Sequence, residues 1–271
     1  MLGKLLKYEF KATARMFLLM YAALLVVAGI NALVLPFNDL TTNFAKSFPT
    51  LYSIISSLSA ITFSLVITAV IVLTLVIIVV RFYRMLGDQG YLWFTLPVTS
   101  AQHIWSKLIC AFVWSFASMI VVAISLGLML LPLDWIRELW RIPDLWNYLV
   151  LQGFSPGLWL GCGVIFLITS WFSGIFSFYT SMAIGPNFTK SRLGGSVLAY
   201  ILVYIATQIL GAIQLMIISI PVSNMFDSLS PSSIDTLVLT FTVVFCIGFI
   251  ALTITCYFIT RHFLTKKLNL A

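Results

Sequence analysis

Apolar residues fill six long intervals without a single charged side chain: 16–38, 47–80, 108–133, 145–189, 193–226 and 236–260. All of the chain's charge falls in the segments between and around them. At about 1.5 Å per helical residue, each interval is long enough to cross a hydrocarbon layer of roughly 30 Å. Hydrocarbon offers no partner to open backbone amides and carbonyls, so the crossings are predicted as helices. Apolar density within the intervals places the spans near 16–37, 57–80, 108–131, 158–182, 196–220 and 236–260. The Val/Ile-rich run from Ile67 to Val80 has the composition of a buried strand, but the apolar length around it favours a spanning helix.

Ahead of the first interval, Leu2, Leu5, Leu6 and Phe10 share one helical face and Lys4, Lys7 and Lys11 another. This spacing predicts a short amphipathic helix in the membrane interface, leading into the first span. A basic start followed by an apolar core also marks a signal peptide. The small residues Ala28 and Ala32 sit inside or at the end of an uninterrupted apolar stretch, however, so the segment is expected to be retained as a first membrane helix. The fold class predicted is all-α: a polytopic membrane protein with six transmembrane helices and an N-terminal interfacial helix, forming one transmembrane domain over residues 1–271.

Composition sharpens this reading. The 271 residues are 61% hydrophobic and 8% charged, against about 25% charged in a soluble domain. Six crossings leave no length for a large soluble domain as well. The net charge of +7 would invite a nucleic-acid reading, but the basic residues alternate between segments. Twelve of the fifteen Lys and Arg fall on one side of the predicted topology, and only Lys46, Arg137 and Arg141 on the other. The positive-inside rule then places both termini in the cytoplasm, with anionic lipid, not nucleic acid, as the partner of that charge.

Candidate chemistry is sparse. Cys110, Cys162, Cys246 and Cys256 all lie in predicted spans without CxxC spacing, and read as small buried apolar residues. His103 and His262 are far apart, with no carboxylate–cysteine cluster near either, so no metal site is expected. No HExxH, GxSxG or Walker A motif occurs, so neither catalytic nor cofactor-binding residues are assigned. The membrane interior holds Asn31, Gln208, Gln214 and many Ser/Thr, but no ion pair or carboxylate relay of the kind a proton-coupled carrier uses.

The strongest functional signal lies between the second and third spans, in Arg81–Ile109. Gly87–Asp88–Gln89–Gly90 opens a turn, Tyr91, Leu92, Trp93, Phe94 and Leu96 present a compact aromatic and aliphatic surface, and Pro97 limits continuation of that element. Thr99 is placed to cap the next helix, with Gln102 at the position that completes a capping box. Lys107 can hold its head at the interface while its stem packs on the third span.

With these segments in view, the whole chain resembles the permease subunit of a bacterial ABC exporter, in the type-two ABC permease superfamily. The resemblance is carried by the interfacial Leu2–Lys11, by Gly87–Tyr91 followed by Thr95–Thr99 and Lys107, by Ser181–Gly185 with its following basic loop and Gly195, and by the order of six spans. The family often has an acidic residue at the position of Gln89, so this position departs from the pattern. The resemblance implies a transmembrane path for a hydrophobic or amphipathic substrate in the bacterial plasma membrane. It also implies cytoplasmic ABC ATPase subunits that bind ATP-Mg, and a second copy of this permease or a related one. This chain itself would not be an enzyme. Asp88, Gly90, Tyr91, Pro97 and Lys107 would form the ATPase-coupling surface, acting conformationally.

On the opposite side, Leu131–Gly157 carries Trp135, Trp140 and Trp146 among charged residues. Tryptophan suits the membrane–water boundary, so these are expected to anchor an outer interface, with capture of an amphipathic substrate as a further role. Gly157, Gly161 and Gly163 are expected to serve close helix packing. An ion-coupled secondary transporter and a non-transport scaffold or immunity protein are the alternative functional classes.

Overall fold

A computed structural model describes residues 2–34, 43, 45–86, 99–130, 141–187, 192–225 and 230–266. They form seven principal helices: α1 (Leu2–Val34), α2 (Pro49–Leu86), α3 (Ser100–Leu130), α4 (Ile142–Leu151), α5 (Pro156–Ile184), α6 (Arg192–Met225) and α7 (Pro231–Lys266). A 3-10 turn, Gly185–Asn187, follows α5. All but α4 are long and apolar enough to cross a membrane. The chain is therefore an all-α, multi-spanning membrane protein. Many large apolar side chains on these helices are exposed, among them Leu18, Ile54, Leu58, Ile209 and Ile247. In a bilayer such faces meet lipid tails, as apolar as the side chains themselves.

Local sequence explains the helix ends. Thr99 and Gln102 form the reciprocal capping box at the start of α3: the Gln102 amide donates to Thr99 Oγ1 (3.4 Å) and the Thr99 amide to Gln102 Oε1 (3.3 Å). Ser230 and Ser233 make the same exchange ahead of α7, and Pro231 supplies the fixed φ favoured in a first turn. After α4 the chain turns at Gly153, whose φ of +86° suits a residue without Cβ. Pro156 then opens α5. The amphipathic N-terminal segment and the first apolar run form one continuous helix, because nothing between Lys11 and Met16 breaks it. α2 likewise continues past its charge-free interval, through Arg81 and Arg84, since charge marks the edge of the hydrocarbon and not the end of a helix.

The chain groups into two compact units, residues 1–78 with 109–142, and residues 79–108 with 143–271. In the first, Leu24 and Ala28 of α1 pack with Phe63 and Val70 of α2, flanked by Val121, Val122 and Leu128 of α3. A polar seam joins the same three helices. Trp114 Nε1 donates to Thr13 Oγ1 (2.8 Å), while Tyr21 donates to Trp114 O (3.0 Å) and lies 2.8 Å from Ser118 Oγ, itself 3.0 Å from Thr74 Oγ1. Phe17 stacks on Trp114 at 4.5 Å. Asn31 Oδ1 accepts from the Ser59 hydroxyl. Without a hydrophobic drive between helices in lipid, such hydrogen bonds and close packing set which faces meet.

In the second unit α5 packs most extensively on α7, and both pack on α6. The α5–α7 contacts keep a nearly constant sequence offset, so these helices run parallel and α6 returns antiparallel between them in sequence. Their seam runs from Ser155 and Trp159 against Asp235, through Thr169 against Cys246, to Thr180 against Thr260.

Candidate functional site

Within the second unit, α5, α6 and α7 surround a cavity of about 340 Å3. Its α5 wall is Ser170, Ser173, Gly174, Ser177 and Phe178, which recur at helical spacing and so occupy one face. From α6 come Tyr200, Tyr204, Thr207, Gln208, Gly211 and Gln214, again one face, and from α7 Phe245, Phe249 and Leu252. The cavity therefore lies roughly midway along three membrane-crossing helices, a depth at which polar groups are costly and mark function by default.

Phe178 and Tyr200 stack at 4.9 Å with nearly parallel rings, bridging α5 and α6 at one end of the cavity. Towards the other end Phe166 meets Phe241, Phe245 and Phe249 at centroid distances of 6.0, 6.2 and 5.6 Å. Gln214, only 6% exposed, donates from Nε2 to Val244 O (2.8 Å) and so fixes α6 to α7.

Among the described residues, the lining holds hydroxyl and amide groups but no charged side chain. Ser170, Ser177 and Thr207 donate their hydroxyl protons along their own helices, to Leu167 O (3.0 Å), Ser173 O (2.8 Å) and Tyr204 O (2.6 Å). Each hydroxyl oxygen keeps lone pairs, so these groups are left as acceptors. The arrangement can bind and orient a neutral polar group among aromatic rings. It presents no nucleophile–base pair.

The expected coupling residues divide. Asp88, Gly90, Tyr91 and Pro97 lie outside the described residues. Both flanks of their segment are described, and ring contacts hold each of them, through the buried Phe82 on one side and the partly exposed Trp105 on the other. At the end of α2, Phe82 is 0% exposed and stacks on Tyr179 of α5 at 4.0 Å. Near the start of α3, Trp105 meets Phe176 of α5 and Tyr257 of α7 at 6.4 and 6.3 Å. Phe176 also packs against Tyr179 and Tyr257, closing one aromatic cluster.

Lys107 is 6% exposed, so its side chain is enclosed by protein. Its place two turns into α3, beside the fully buried Ile104 and Leu108, puts it on the packed face of that helix.

Of the outer tryptophans, Trp135 and Trp140 lie outside the described residues. Trp146, on α4, is 37% exposed and lays its ring beside Gly157, where a Cβ would stand 3.9 Å from it. The packing expected of Gly161 and Gly163 is corrected: a Cβ at either would meet nothing within 4 Å. All four cysteines are buried as free thiols.

Sequence reasoning noted Gln208 and Gln214 but missed the cavity. The signal was present in the i, i+3, i+4, i+7 recurrence of three serines and a glycine at 170, 173, 174 and 177, opposite the Tyr200–Gln214 face. Comparison of the chain with protein-family models, with curated proteins and with solved structures gave no match.

Proposed function

We propose that this chain is the permease subunit of an ATP-driven exporter in a bacterial plasma membrane, with both termini cytoplasmic. The observation that carries the reading is the aromatic cluster at the flanks of residues 87–98. Phe82 and Trp105, one on each side of that segment, both pack on α5, and α5 also forms the wall of the polar cavity. A cytoplasmic partner that pushes on the segment would thus move the helix that shapes the cavity. A packed cluster of rings, one pair stacked and the others tilted or edge-on, transmits displacement because it has little room to deform.

In this reading Asp88, Gly90, Tyr91 and Pro97 meet a separate ABC ATPase that binds ATP-Mg, and Lys107 holds the start of α3 from within. The chain hydrolyses nothing itself. A second copy of it, or a related permease, completes the path. Two helix arrangements, biased by nucleotide-dependent movement of the ATPase, give alternating access for a hydrophobic or amphipathic substrate. Six membrane-crossing helices and a mid-span site without charge support this assignment.

The test is affinity purification in native lipid, followed by partner identification and ATPase assay. A stoichiometric soluble ATPase whose association requires residues 87–107 is the expected result. Recovery without an ATPase, together with ion-dependent transport, would assign a secondary carrier. Neither partner nor transport would assign a scaffold or immunity protein.

A further inference from the structure

The cavity's own chemistry narrows what it accepts. Its described lining residues carry no charge, so a charged ligand would lose its hydration with no opposite charge from them to offset the loss. The hydroxyls of Ser170, Ser177 and Thr207 already donate to backbone carbonyls. They accept further hydrogen bonds but have no second proton to give. A ligand head matched to these three is neutral and donates to them, and the Gln208 amide in the same lining can donate in return. The volume of about 340 Å3 lies at the small end of the roughly 300–1,000 Å3 of small-molecule sites. It suits a head group with a few methylenes, and the aromatic walls suit the methylenes. On the α6 side Tyr204 is 52% exposed, so the cavity opens sideways between helices and a longer tail can remain outside it.

We propose that this cavity binds the uncharged, hydroxyl-bearing head of an amphiphile, admitted laterally with its tail left in the surrounding hydrocarbon. Resting on the permease reading, this names the substrate class: neutral amphiphiles that donate hydrogen bonds, not lipophilic cations or anions. Gln214, fixed by its bond to Val244 O, sets the end of the site opposite the Phe178–Tyr200 stack.

The test uses the full chain in nanodiscs and a 1-monoacylglycerol carrying a diazirine near the ester. Cross-linked residues are mapped by mass spectrometry. The competitors share the chain but differ in the head: unlabelled monoacylglycerol, its di-O-methyl ether, the fatty-acid anion and an alkyltrimethylammonium. Labelling is expected on α5, α6 or α7 residues of the cavity. The diol should compete at least about fivefold better than the ether, the worth of one net hydrogen bond. Thr207→Val, which keeps the side chain's shape and removes one acceptor, should weaken labelling by a similar factor. Equal competition by diol and ether, stronger competition by the cation, or labelling confined to other helix faces would overturn the proposal. No ATPase enters this experiment. Its outcome therefore bears on the site alone, while failure to recover an ATPase in the affinity purification would remove the permease reading and leave the site standing.

Discussion

The carboxamide of Gln214 occupies the space that a side chain at Gly248 would fill. A Cβ at Gly248 would lie inside van der Waals contact with Nε2 and 2.7 Å from Cδ. The clash is with the far end of a flexible side chain and not with backbone, so Gly248→Ala should fold. It should instead expel the Gln214 amide from its bond to Val244 O. Loss of one net hydrogen bond is about 1 kcal/mol, partly offset by the better helix propensity of alanine. Thermal unfolding should accordingly show a small loss for Gly248→Ala and a smaller one when Gln214→Ala is already present, since the clash is then gone. Additive losses in the two backgrounds would show that the two residues do not share this space in solution.

Phe82→Ala deletes a fully buried ring stacked on Tyr179. Such deletions cost about 3–5 kcal/mol in soluble cores, and a lower figure is expected where lipid tails can follow the vacated surface. Tyr179→Phe keeps the stack and removes only the hydroxyl, so it should be the milder change. If the cluster transmits partner motion, Phe82→Ala should insert and assemble but lose substrate-stimulated ATP turnover, while Tyr179→Phe retains it. Full turnover in Phe82→Ala would remove the cluster from the mechanism.

The double substitution Asp88→Ala, Tyr91→Ala should leave six-span insertion intact while weakening ATPase association. Charge or capping from Asp88 and packing from Tyr91 are the contributions removed. Protease accessibility of the loops reports insertion, and co-purification reports association. Loss of both together would show that the segment serves folding and not coupling.

The helices were legible because hydrocarbon excludes charge so strictly that the gaps between Arg15 and Asp39, or Lys107 and Asp134, reveal where it lies. The capping box of Thr99 and Gln102 was legible for a local reason: both partners sit within one turn. The cavity was not, because serine and threonine in membrane helices satisfy their protons on their own backbone whichever way they face. Thr62 and Thr68 of α2 do so on exposed faces, just as Ser177 does beside the cavity. Counting hydroxyls therefore cannot identify a site; only the register of α5 against α6 and α7 does. The enclosure of Lys107 was not legible, because sequence shows its distance from the apolar run and not which face of α3 is packed.

Asp235 of α7 reaches the start of α5, accepting from the Ser155 amide (3.3 Å) and from Trp159 Nε1 (2.8 Å). Ser155 makes no side-chain capping bond itself, so a carboxylate from a different helix supplies the acceptor, and the helix N-terminus favours its negative charge. This contact fixes the α5–α7 register at one end, as Thr180 and Thr260 do at the other. Asp235→Leu should therefore release the first turn of α5, with amide hydrogen exchange at residues 155–160 rising several-fold. Exchange near Thr180 should change little, because its own bonds to Cys256 O and Thr260 Oγ1 remain. Asp235→Asn keeps an acceptor oxygen without the charge and should fall between the two. Identical exchange in Asp235→Leu and the native chain would mean that packing alone sets the register and that the carboxylate contributes nothing to it.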